Sequence, residues 1–133
     1  MRTVNIFCVS LLFFTMVFLS GCGKESPAIM VCCKNVLVQT VYADWEGAYT
    51  IGLVTTGAWT STVNSPDGSS VNWLSLDPDH GDKAGEYCVK PKIEVNTTGK
   101  DRKANITFSC KGELINATLT QKATTYDGEV PLP

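Results

Sequence analysis

The most constraining feature of this sequence is the two-residue alternation on either side of Lys111-Gly112. Ala104, Ile106, Phe108 and Cys110 share one parity before that turn, and Ile115, Ala117 and Leu119 share one after it. Side chains on a strand alternate between faces, so each run predicts a strand with one apolar face. A short turn at Lys111-Gly112 joins the two as an antiparallel hairpin whose apolar faces coincide. The same kind of alternation recurs at Val36–Tyr42, Tyr49–Thr55, Trp59–Val63, Trp73–Leu76 and Glu86–Val95, with the hairpin strands at Arg102–Ser109 and Leu114–Gln121. The connections are rich in turn formers, such as Asn64-Ser65-Pro66-Asp67-Gly68 and Asp77-Pro78-Asp79-His80-Gly81. No sustained helical period is present. Seven short strands predict an all-β, immunoglobulin-like sandwich.

The N-terminus follows a different rule. Met1-Arg2-Thr3 carries one positive charge, and Ile6 to Leu19 is an apolar run of 14 residues broken only by Ser10 and Thr15. A membrane span needs about 20 apolar residues, so the run reads as the core of a secretory signal. It ends in Leu19-Ser20-Gly21-Cys22, which resembles the lipobox of bacterial lipoproteins. That resemblance implies cleavage before Cys22 and lipid on its thiol, giving a protein held on the cell envelope, in the outer membrane and exposed at the surface. Removing 21 of 133 residues leaves 112, enough for one domain. Residues 22 to 34 are then expected to be the lipidated cysteine and a tether, 35 to 123 the sandwich, and 124 to 133 an irregular tail.

The formal charge is −2 and becomes −3 once Arg2 leaves with the signal, with both signs interspersed. Without a basic stripe, nucleic acid is not an expected partner. Of six cysteines, Cys8 leaves and Cys22 is committed to lipid, so Cys32, Cys33, Cys88 and Cys110 remain, with three possible pairings. Tyr87, Val89, Ile93 and Val95 share the inward parity of their strand, which turns Cys88 outward, whereas Cys110 is inward. A Cys88–Cys110 bond therefore conflicts with the alternation unless Pro91 marks a bulge. No C-x-x-C pair accompanies the single histidine, so no metal or cofactor is expected. The acids Asp77, Asp79, Asp82 and Glu86 around that histidine lack the order of a calcium loop, because Cys88 stands where the closing glutamate should be. His80 has no nucleophile signature beside it, and the chain is not expected to be an enzyme.

Several segments together resemble a BACON domain, an immunoglobulin-like module of carbohydrate-processing proteins in gut bacteria. They are Gly57-Ala58-Trp59, Trp73-Leu74-Ser75-Leu76-Asp77-Pro78 with Gly81 and Gly85 behind it, Val95-Asn96-Thr97-Thr98, Arg102 to Phe108, and Thr118-Leu119-Thr120-Gln121. Their order spans about residues 36 to 123. The resemblance implies a seven-stranded sandwich with Trp59 and Trp73 as framework residues. It also implies accessory recognition of polysaccharide or mucin glycans, or alternatively a spacer or docking subunit of an outer-membrane protein complex. Such modules commonly precede another domain, so nothing that an attached enzyme would do is expected of this sequence. Sugar binding calls for a flat aromatic and a few polar groups. Trp45, in the turn Ala43-Asp44-Trp45-Glu46-Gly47, is the candidate glycan contact, its other role being a cap on the sandwich edge. Tyr42 and Tyr126 carry less weight. The Asn-x-Thr triplets at Asn96, Asn105 and Asn116 are set aside as glycan acceptors, since bacterial lipoproteins do not normally receive such glycans.

Overall fold

The structure is a computed structural model and describes residues 25–126. The signal segment, Cys22 and the tail beyond Tyr126 lie outside the described residues. Nine strands are present among those residues: β1 (Ile29–Val31), β2 (Val38–Val41), β3 (Ile51–Thr55), β4 (Trp59–Asn64), β5 (Leu74–Asp77), β6 (His80–Gly81), β7 (Gly85–Ile93), β8 (Arg102–Cys110) and β9 (Glu113–Gln121). They form two sheets, in the orders β1-β3-β7-β5 and β2-β9-β8-β4-β6. The expected immunoglobulin-like sandwich is the observed fold. No helix among the described residues is long and apolar enough to cross a membrane.

The hairpin at Lys111-Gly112 forms as expected. Both residues have positive φ, 50° and 84°, which matches the twist of the strands they join. From it β8 and β9 pair over their full length, Cys110 with Glu113 through Arg102 with Gln121. Ala104, Ile106, Phe108, Ala117 and Leu119 are buried on the inner face. Ile51, Leu53 and Val89 meet them from the other sheet and are fully buried. Trp59 is 1% exposed and packs edge-on against Phe108 and Tyr87, and Trp73 is 8% exposed, so both tryptophans belong to the framework.

Four features differ from the expectation. Residues 29 to 31, read as part of the tether, form β1 on the edge of one sheet, because the buried Ile29 pairs opposite Thr55. The strand expected from Val36 begins only at Val38, since Lys34–Leu37 coils into a 3-10 turn that brings β2 parallel to β9. His80-Gly81, read as turn, makes a short pairing with Trp59 and Thr60. Val95, assigned to the inner face, is 57% exposed, because β7 ends at Ile93 and the alternation ends with it. Pro91 introduces no bulge: Leu76 stands opposite it in an unbroken register. Cys88 is thus exposed on the outer face of one sheet and Cys110 buried in the inner face of the other, while Cys32 and Cys33 are exposed; all four are free thiols.

Candidate functional site

β2 and β9 run parallel, with Val41 opposite Gln121, so both strands leave the sandwich at the same pole. The pairing continues past their ends, where Lys122 N donates to Val41 O at 2.8 Å and Ala43 N donates to Thr124 O at 2.9 Å. Two segments about 80 residues apart in sequence are thereby laid side by side. Tyr126 N donates to Asp44 Oδ1 at 2.9 Å, and the Tyr42 and Tyr126 rings meet edge to face at 5.4 Å. A cleft of about 450 Å3 opens there, lined by Tyr42, Asp44, Trp45, Glu46 and Tyr126. Tyr42 also lines a second cleft of about 540 Å3 with Thr40, Val41, Asp101, Lys122 and Thr124. Both volumes fall in the range of small-molecule sites, about 300–1,000 Å3.

Trp45 has one side committed and one side free. It is half-buried against the core cluster, and its ring lies so close over Gly47 that a Cβ there would overlap it. A glycine is required at that position for the ring to lie down. The indole Nε1 is buried without a hydrogen-bond partner among the described residues. The remainder of the side chain lines the smaller cleft. Cap and cleft wall are therefore two faces of one residue. Tyr49, later in the same loop, packs on the core, and burial pushes its hydroxyl up to about 12, which keeps it protonated and neutral.

A buried polar cluster beneath the cleft holds the loop in place. Ala43 O accepts from Asn96 N at 2.8 Å and from Gln121 Nε2 at 3.0 Å. Gln121 is fully buried; it also donates to Glu94 O at 2.9 Å and accepts from Arg102 Nε at 2.8 Å. The Arg102 guanidinium in turn lies 4.4 Å from the centre of the Trp73 ring. Asn96 donates to Lys100 O and Lys122 O while its Oδ1 accepts from Thr98. Asn96 is thus the buried, structural member of its triplet, and Thr97 and Thr98 are exposed. On the cleft wall, Asp101 accepts from Ala123 N at 2.7 Å and from Lys122 Nζ at 3.0 Å. Those two bonds hold its carboxyl below the usual carboxylate range.

The opposite pole holds the acidic loop. His80 Nδ1 and Asp79 Oδ1 are 2.6 Å apart, a contact that raises the imidazole above its ordinary value. Asp77 pairs with Lys92 at 3.0 Å. These acids are spent on separate surface ion pairs. Sequence reasoning singled out Trp45 and underrated Tyr42 and Tyr126. The usable signal was Tyr42 at the end of a strand pattern; Tyr126 lies five residues beyond the end of β9, and only the parallel pairing of β2 and β9 shows that the two exits meet.

The fold and the cleft together define a class: an immunoglobulin-like sandwich with an aromatic-lined depression at one pole. The BACON family model, described as "Putative binding domain, N-terminal", matches residues 55–122, just over half of the chain, so the chain belongs to that family. No curated protein matches the chain. Among solved structures, it is similar to a Bacteroides ovatus GH5 xyloglucanase in complex with a XXXG heptasaccharide, with 22% identity over 74% of this chain and a TM-score of 0.58. It spans only 19% of that enzyme's chain. A protein from Bacteroides thetaiotaomicron aligns over 79% of this chain and 95% of its own, at 14% identity and a TM-score of 0.50. The periplasmic chaperone SfaE aligns over 79% of this chain and 59% of its own, at 6% identity and a TM-score of 0.57. At these identities the likeness is one of fold.

Proposed function

We propose that this protein is a lipid-anchored envelope protein that recognises glycans through the cleft at Tyr42, Trp45 and Tyr126, without catalysing their cleavage. One observation carries the reading: three aromatic side chains from two distant segments line one depression, with Asp44 and Glu46 beside them. Aromatic surfaces take the C–H faces of sugars and carboxylates take their hydroxyls, and a rigid sandwich keeps both in place. Membership in a family of binding domains and the fold shared with part of a xyloglucanase support a carbohydrate role. The signal-like segment ending at Cys22 supports the anchor. The described chain enters β1 at the pole opposite the cleft, which suits an anchor that leaves the cleft free to meet a ligand.

The test uses the full chain in a polyoxyethylene detergent, which carries neither sugar nor charge. Titration against mucin O-glycans and plant oligosaccharides should give affinities between about millimolar and micromolar, or roughly −4 to −8 kcal/mol. Trp45→Ala and Tyr42→Ala should each remove binding. Silence across the panel, with co-purification of an outer-membrane protein, would replace this reading with a spacer or docking role. Mass spectrometry of the membrane form should find acyl chains on Cys22.

A further inference from the structure

The lining of the smaller cleft has an unbalanced charge. Asp44 and Glu46 are both exposed carboxylates, and no lysine, arginine or histidine lines it. In the adjoining cleft the single base, Lys122, is already engaged by Asp101 at 3.0 Å. The other cation of this pole for which a contact is described, Arg102, is held over Trp73 and bonded to Gln121 and to the carbonyls of Glu94 and Val95. The smaller cleft therefore offers three aromatic rings and two carboxylates with no neutralising base in its wall. Ring faces carry a negative quadrupole and attract cations, and carboxylates add to that attraction.

From this juxtaposition we infer that the cleft binds an ammonium group, and so selects amine-bearing glycans over neutral and anionic ones. The inference rests on the glycan reading of the same site. A neutral sugar gains only ring contact and hydrogen bonds there. A protonated amino sugar of the same shape adds attraction to Asp44, Glu46 and the rings, whereas a uronate or sulfate meets two like charges. Because both carboxylates are exposed, the added attraction is screened by salt and each contributes modestly.

The experiment compares glucosamine oligomers with their N-acetylated counterparts, which share a backbone and differ in charge. Binding to the full chain in polyoxyethylene detergent is measured near pH 6 at low and high salt. Trimethylammonium compounds, a lysine peptide and oligouronates are further arms. The expected result is roughly tenfold tighter binding of the free-amine oligomer, a preference reduced by high salt. Asp44→Asn with Glu46→Gln should abolish the preference, so that the double variant binds the two oligomers with equal affinity. Because Asp44 also accepts a backbone bond from Tyr126, Glu46→Gln alone serves as a second variant that leaves that bond intact, and it should weaken the preference. Equal affinity for the two oligomers, or tighter binding of uronates, overturns the inference and leaves the glycan reading standing. Binding of trimethylammonium or the lysine peptide with no sugar bound upholds the ammonium site and removes the glycan reading. Silence in every arm overturns both.

Discussion

The two poles of this sandwich solve the same problem, how to finish a pair of sheets, with opposite chemistry. At the pole where β4 begins, aromatic rings fill the space: Trp59 packs against Tyr87 and Phe108, and Gly81 lies so close that any side chain there would meet the Tyr87 ring at 2.6 Å. At the pole where β2 and β9 end, hydrogen bonds from Gln121, Asn96 and Arg102 hold the backbone. Trp73 lies buried under Arg102 of that cluster, whereas Tyr42, Trp45 and Tyr126 sit outside it and line a cleft. The difference teaches that a small domain keeps rings available at its surface when polar side chains secure the turns beneath them. Buried polar groups suit this task because their geometry is directional and a missing partner is heavily penalised.

Breaking the filled pole should have the largest effect. Trp59→Ala removes a ring that is 1% exposed and should lower stability by about 3–5 kcal/mol in urea unfolding, with no selective loss of ligand. Breaking the polar cluster comes next. Gln121→Leu leaves the Ala43 and Glu94 carbonyls and the Arg102 Nε short of a partner and should cost about 2–3 kcal/mol. Binding should weaken as well although no cleft residue has changed, because Ala43 no longer fixes its neighbours. Trp45→Ala should cost less, about 1–2 kcal/mol, because the ring is only half-buried, yet it should abolish glycan binding. A stability loss as large as that of Trp59→Ala would show that Trp45 is a core residue and erase the contrast.

The smallest effects are in pH dependence, and they run in opposite directions at the two poles. The His80 imidazole is raised by its hydrogen bond to Asp79, so its contribution is present below its ordinary value of 6.5 and fades as pH rises through the raised value. His80→Gln should therefore lower the melting temperature slightly at about pH 6 and leave it unchanged at about pH 9. Asp101 is lowered by the bond from Ala123 N and then by Lys122, so its contribution is present above its ordinary value of 3.8 and is lost as pH falls through the lowered one. Asp101→Asn should accordingly matter at neutral pH and cease to matter in strong acid, as read from melting curves across pH.

Much of the fold was legible in the alternation of residues. The hairpin of β8 and β9 combines long runs of one parity with a local turn, and its apolar inward residues were assigned from sequence alone, whereas the buried Gln121, of the same parity, was not. The features that escaped depend on distant partners. β1 is three residues long, too short to show an alternation between the polar tether and the two cysteines, so its strand character comes from β3. β6 is a two-residue pairing imposed on turn-forming residues by β4. Val95 continues the parity of its strand on paper, but the chain departs from the sheet two residues earlier. The site was legible only as Trp45. Tyr126 lies in a segment without pattern, and its place opposite Asp44 depends on a parallel pairing that no local signal announces.

The position of β1 has a mechanical consequence. It is an edge strand that runs from the pole of Ile29 toward the cleft pole, antiparallel to β3. With an anchor at Cys22 and a polymer held in the cleft, tension would enter the fold through β1 and leave at the other end. The pull would run along the strand axis, perpendicular to the bonds between β1 and β3, which would then be loaded together in shear instead of being peeled one after another. A short edge strand is a weak element against heat, yet in this orientation it would resist a load applied along its axis.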